Sequence, residues 1–129
     1  MARGSYVAWA ETNLGSLKDA RRLQRVVLDA RLAACANLWP IESAYWWEGE
    51  VEEAREVRVI FKTDRTRVAA LVALVEAEHP YRVPYLAWGQ GERVTPAYSA
   101  WARRETARPQ TRRAPARRGR ASRGTRRKK

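Results

Sequence analysis

The chain holds one histidine, His79, directly before Pro80. A neutral imidazole is a good ligand for copper or zinc, which makes His79 the first candidate for metal chemistry. The competing reading is structural: at the end of a helix an imidazolium is favoured by the dipole, and Pro80 explains the stop. The single cysteine, Cys35, cannot close an internal disulfide. Flanked by Ala34 and Ala36 at the start of a strand-like run, it reads as a small buried hydrophobe rather than a ligand or redox group. Glu48, Glu50, Glu52, Glu53 and Glu56 form an acidic cluster around a turn. Solvated charge at a strand end is the plain reading, because edges carry charge to discourage aggregation; a role facing a cation or another subunit is the rival. Lys62 stands close enough in the pattern to pair with one of these acids or to remain exposed. No Ser-His-acid arrangement, glycine-rich phosphate loop or closely spaced Cys/His set occurs, so no enzymatic activity is expected.

The remaining chemistry is cationic. Residues 106–129 hold 11 of the 26 Lys and Arg and no acid, whereas residues 1–105 hold 15 basic and all 14 acidic residues. The net charge of +12 therefore belongs almost wholly to the tail. With no aromatic or large aliphatic residue the tail builds no core, and residues 106–129 are expected to be a disordered extension to a domain at 1–105. Arg112, Arg113, Arg117, Arg118, Arg120, Arg123, Arg126 and Arg127 are candidates for nucleic-acid contact, since guanidinium meets phosphate bidentately and stacks on bases. A solubilising extension is the alternative. A membrane surface fits less well because the tail has no apolar anchor. No apolar run approaches the roughly 20 residues that span a bilayer, and the N-terminus runs straight into a candidate strand, so the cytoplasm is the expected compartment.

The elements that position these groups follow from periodicity. Tyr6 to Thr12 is a short, mostly apolar run suited to a buried strand. Ser16 caps a helix whose apolar face is Ala20, Leu23, Val27 and Ala30, ending near Ala33. Cys35 to Trp47 reads as a long strand interrupted at Pro40, which donates no ladder bond and implies an edge or a bulge. Gly49 supplies the positive φ of a two-residue hairpin at Glu48-Gly49. Val57, Val59 and Phe61 then alternate with Arg58, Ile60 and Lys62 as a strand. A second helix after Thr63 or Asp64 carries Val68, Leu71, Val72 and Val75 on one face and stops at His79-Pro80. Val83 to Gly89 offers a fourth strand, and Thr95-Pro96 opens a short final helix.

The order β-α-β-β-α-β-α, with short connections and right-handed crossovers, is the α+β ferredoxin-like arrangement: an antiparallel sheet with helices on one face. Two helices leave the other face open, and about 105 residues make a modest core. Trp39, Tyr45, Trp46, Trp47 and Trp88 lie on strands that extend past that cover. So much aromatic surface implies a partner subunit.

The wording of Leu32–Glu53, LAACANLWPIESAYWWEGEVEE, resembles the CutA divalent-cation tolerance family. FKT at Phe61–Thr63, HPYRVP at His79–Pro84 and PAYSAW at Pro96–Trp101 resemble further family patterns in order and spacing, over roughly residues 6 to 104. The resemblance implies a homotrimer joined through extended hairpins, and a non-enzymatic role in divalent-cation tolerance with copper the ion most often implicated. It implies metal contact at Glu78 and His79. The position of a family cysteine falls on Thr12, which supplies no thiolate, and Tyr85 replaces a common Glu. Both departures imply an altered cleft. Two further functions stay open: a trimeric scaffold whose tails bind nucleic acid, and a small-ligand sensor at subunit clefts by analogy with PII-like trimers.

Overall fold

In a computed structural model, which describes residues 4–107, strand β1 (Tyr6–Leu14) is followed by helix α1 (Leu17–Asp29) and by strands β2 (Cys35–Trp47) and β3 (Glu50–Thr63). Helix α2 (Val68–Glu78), strand β4 (Leu86–Arg93) and helix α3 (Pro96–Glu105) complete the order. The sheet runs β2-β3-β1-β4 with every neighbouring pair antiparallel. This is the ferredoxin-like α+β plan expected from the pattern, with β3 seated between the two strands of the first βαβ unit.

The register explains the core. Ala10 pairs with Phe61, Thr12 with Val59 and Leu14 with Val57. Paired residues share a face, so these six side chains form one buried surface under Ala20, Leu23 and Val27 of α1 and Leu71 and Val75 of α2. The opposite face carries Trp9, Glu11 and Asn13 of β1, all half-buried. Gly89, paired with Trp9, leaves the room its indole occupies, for a Cβ there would stand 2.9 Å from the ring.

Helices α1 and α3 start where their caps predict. The Ser16 hydroxyl accepts the Asp19 amide, and the Thr95 hydroxyl accepts the Tyr98 amide. Helix α1 stops at Asp29, a turn earlier than its apolar pattern suggests. Arg31 adopts a left-handed φ of 61°, the Arg31 amide donates to Leu28 O, and the Leu32 amide donates to Val27 O. That is a Schellman ending with arginine in the place glycine usually takes, and its side chain is anchored on Glu105. Helix α2 is preceded by a 3-10 turn over Arg65–Arg67, opened by the Asp64 carboxylate accepting the Thr66 amide.

Three further features have local causes. Strand β2 is continuous through Pro40, because β2 is an edge strand of the chain and proline's missing donor interrupts no ladder. Both turn residues of the hairpin are left-handed, Glu48 at 52° and Gly49 at 87°, the mark of a type I′ turn. Strand β4 starts at Leu86 rather than Val83, since Pro80 and Pro84 keep the preceding segment out of the ladder.

Strand β1 pairs with β3 only from Val57 onward, while β2 accompanies β3 to the turn. Residues 41–56 therefore project beyond β1 as a two-stranded arm, about 20 Å long for seven residues a strand. Trp46 at its end is 74% exposed, with Val51 beside it at 55%. Among the described residues no helix is long and apolar enough to cross a membrane. The eight tail arginines singled out above, Arg112 to Arg127, lie outside the described residues.

Candidate functional site

The segment joining α2 to β4, residues 79–85, carries most of the chain's distinctive chemistry. His79 is 2% exposed. Its Nδ1 accepts the Tyr81 amide at 3.2 Å, so Nε2 carries the hydrogen and donates to Asn13 O at 2.9 Å. His79 is thus a neutral ring joining the end of α2 to β1. This replaces the expectation of an imidazolium favoured by the helix dipole: the hydrogen bond to Nδ1 requires an unprotonated nitrogen. The Tyr81 ring packs edge-on against it at 4.9 Å.

Glu78, next in sequence, points elsewhere. Its carboxylate meets Arg22 of α1 at 2.6 Å near the surface. The two residues do not converge, and among the described residues no three His, Cys, Asp or Glu side chains stand together as a metal set.

Tyr81 reaches instead to Glu56. The Tyr81 hydroxyl donates to Glu56 Oε2 at 3.0 Å and the Ser43 hydroxyl donates to Oε1 at 2.7 Å. Glu56 is 7% exposed, which separates it from the solvated acids of the hairpin arm. The reason is topological: β1 ends at Leu14, and Tyr81 fills the space beyond Gly15, lying 3.1 Å from where a Cβ there would be. Burial, followed by the Glu56 carboxylate, pushes the Tyr81 phenol far above its usual range. Glu48, Glu50, Glu52 and Glu53 remain exposed. Glu42, Ser43, Glu53 and Arg55 line an open hollow along the arm.

A second network lies on the open face of the sheet. Arg58 donates through Nε to Asn13 Oδ1 at 2.6 Å and through Nη1 to Glu11 Oε2 at 3.2 Å. The Tyr85 hydroxyl donates to the same Glu11 oxygen at 2.6 Å, and the Arg58 guanidinium lies 5.1 Å from the Tyr85 ring centroid. The hydrogen bond to Glu11 is the main cause of the raised Tyr85 phenol, with burial second. The open face therefore keeps a carboxylate, supplied by Glu11 rather than by position 85. Thr12 and Tyr85, the two departures noted in the sequence, are themselves joined: the Thr12 hydroxyl donates to Tyr85 O at 2.5 Å. Glu11, Asn13 and Arg58 were not singled out in the sequence; Glu11 and Asn13 alternate along β1, but only the β1–β3 register sets them beside Arg58.

Cys35 is half-buried rather than enclosed, and its thiol meets Asn37 Oδ1 at 3.4 Å. Burial, then the adjacent Cys35 thiol, pushes the Tyr98 phenol up to about 12. Lys62 makes no ion pair among the described residues.

A four-stranded split βαβ sheet with one open face and a projecting hairpin places the chain in the ferredoxin-like α+β class. The chain belongs to the CutA1 divalent ion tolerance protein family, whose profile matches residues 8–105. It is similar to the divalent-cation tolerance protein CutA of Thermococcus kodakarensis, with 37% identity over 93 residues, 72% of this chain and 89% of that one. It is 40% identical over 90 residues to human Protein CutA, 69% of this chain and 50% of the human protein, so it spans about half that relative's length. Among solved structures, CutA from Synechococcus elongatus superposes with a TM-score of 0.77 at 26% identity, over 82% of this chain and 95% of that one. The periplasmic divalent cation tolerance protein CutA from Archaeoglobus fulgidus gives 0.74 at 32% identity, over 78% and 99%.

Proposed function

We propose that this protein acts as a homotrimer in the response to divalent cations, copper first among them, without catalysing a reaction. The observation that carries the reading is the projecting arm at residues 41–56, with Trp46 74% exposed at its end. Burying most of one such indole against another subunit is worth about 3 kcal/mol per copy. The number three is what the family resemblance implies. Since no single chain gathers three ligands among its described residues, an ion bound with any strength takes groups from more than one copy.

Glu78 and His79 are the proposed contacts. The Glu78 carboxylate can exchange Arg22 for a cation at the surface. His79 has to release Asn13 O or the Tyr81 amide first, which costs about 1–3 kcal/mol. Titrating copper and then zinc into the full-length protein by calorimetry tests this, with Glu78→Gln and His79→Gln alongside. Saturable binding weakened at least tenfold in both variants supports the site. Binding indifferent to both removes these residues from the reading. The cytoplasm is the proposed compartment, and cell fractionation decides between it and the periplasm of the A. fulgidus relative.

A second reading is favoured by charge. The 11 basic residues and no acid in residues 106–129 make the tail a nucleic-acid contact carried on the trimer. Replacing Arg112, Arg113, Arg117, Arg118, Arg120, Arg123, Arg126 and Arg127 by Gln in the full chain should abolish binding to an oligonucleotide. Undiminished binding would reject the tail as its carrier.

A further inference from the structure

The folded domain has a cationic end of its own. Arg93 of β4 pairs directly with Tyr6 of β1. The Arg93 guanidinium lies 5.4 Å from the centroid of the Tyr6 ring, and the Arg65 guanidinium lies 5.1 Å from the same centroid. Two like charges thus share one aromatic ring. Neither forms an ion pair among the described residues. The adjacent acids are otherwise directed: Asp64 is held by Thr66 and lies 3.7 Å from Arg103, and Glu92 alternates to the opposite side of β4 from Arg93. Burial alone would raise the Asp64 carboxyl, but its bonds to Thr66 and the charge of Arg103 hold it below its usual value. Two residues after Arg65, the Arg67 Nε is a buried donor with no partner among the described residues.

Helix α3 connects this end to the tail. The Ser99 hydroxyl donates to Tyr6 O, and the Val94 amide donates to Ser5 O, so the start of α3 lies against Tyr6. From Ser99 the helix axis advances about 9 Å over six residues to its end at Glu105. Exposed Arg103 and Arg104 lie on the way, and the basic tail begins at the next residue. The domain therefore presents unpaired guanidiniums within reach of the point where the densest positive charge in the chain starts.

We infer that Tyr6, Arg65 and Arg93 form a contact surface for single-stranded nucleic acid. This rests on the tail reading above and extends it to the folded domain. Charge complementarity selects a polyanion, since neither guanidinium has an ion-pair partner among the described residues. The pairing of cations with an aromatic ring selects a single strand. Guanidiniums 5.1 and 5.4 Å from the Tyr6 centroid set donors for phosphate beside an aromatic ring, and only unpaired bases present accessible faces to such a cluster. Duplex phosphates would use the charge but not the ring.

The test uses the full-length protein and a fluorescent 20-nucleotide oligouridine, with binding followed by anisotropy between 50 and 300 mM salt. Arg65→Gln with Arg93→Gln should weaken binding about tenfold near 0.15 M salt and reduce the slope of log K against log[salt] by about 1.4, two contacts at about 0.7 each. Arg65→Lys with Arg93→Lys should keep the slope and lose affinity, because charge remains and stacking does not. Unchanged thermal melting checks that these exposed substitutions leave the fold alone. If the wild type binds but the Gln pair changes neither affinity nor slope, the inference is overturned and the tail reading stands. If the wild type does not bind at 50 mM salt, both fall. Vesicles of phosphatidylserine that displace the oligonucleotide in proportion to charge, or a duplex bound as tightly as the single strand, overturn the assignment to a single strand.

Discussion

Replacing His79 by Ala separates a structural histidine from a ligand. The side chain is 2% exposed, with one ring nitrogen on the Asn13 carbonyl and the other on the Tyr81 amide. Removing it strands two backbone groups, at about 1–3 kcal/mol for each that water does not reach. It also opens a space beside Tyr81, and large-to-small changes in buried sites cost about 2–5 kcal/mol in themselves. Asn13 is only half-buried, so solvent relieves part of the first term. A net loss of about 3 kcal/mol follows, or roughly 10–20 °C in melting temperature for a domain near 100 residues. The assay is thermal unfolding by circular dichroism at one fixed protein concentration, since subunit association raises apparent stability by mass action. His79→Gln, whose amide can both donate and accept, should recover part of the loss. A shift under about 1 kcal/mol in His79→Ala would refute the reasoning. Loss of copper binding at unchanged stability would turn His79 from a joint in the fold into a ligand.

Tyr81 and Asp64 give opposite pH signatures. The fold holds the Tyr81 phenol protonated well above its ordinary 10.0, so its contribution is complete below that pH and lost as pH rises past it. Tyr81→Phe should flatten the alkaline loss of stability, and an ultraviolet titration should show one tyrosine fewer ionising late. Asp64 is held below its ordinary 3.8, so its contribution is present above that pH and lost as pH falls through the lowered value. The melting difference between wild type and Asp64→Asn should be constant near neutrality and shrink as pH falls below the ordinary 3.8; a difference that grows as pH falls would contradict the assignment. Trp46→Ser, at a side chain 74% exposed in the single chain, should change the stability of an isolated subunit by no more than about 0.5 kcal/mol. The same change should lower the sedimenting mass at micromolar concentration. Retention of the wild-type mass would remove Trp46 from the interface.

Local physics decided the elements. Ser16 and Thr95 cap helices because a hydroxyl at that position meets a free amide, wherever the helix later packs. Alternation at Val57, Val59 and Phe61 defined a strand with one apolar face, and Glu48-Gly49 defined its turn. The same patterns were ambiguous where tertiary contacts compete with them. The apolar face of α1 extends to Ala30, yet the left-handed Arg31, tied to Glu105 of α3, ends the helix at Asp29.

The site was less legible, because its chemistry depends on which elements meet. Glu56 belongs by sequence to an acidic turn, but the end of β1 and the reach of Tyr81 make it a buried acceptor. His79 is one residue from Glu78, yet the helix ends between them: the extended His79 turns its imidazole inward to β1 while the Glu78 carboxylate meets Arg22 at the surface. Arg65 and Arg93, 28 positions apart, meet over Tyr6 only because β1 pairs with β4 on one side and with β3, which ends just before Arg65, on the other. What the sequence determined by itself was periodic or adjacent: the elements, their caps, the turn, and the concentration of positive charge after residue 105. Tertiary structure alone decided burial and pairing, since a side chain's solvent and charge environment is set by residues distant in the chain that only the folded register brings near.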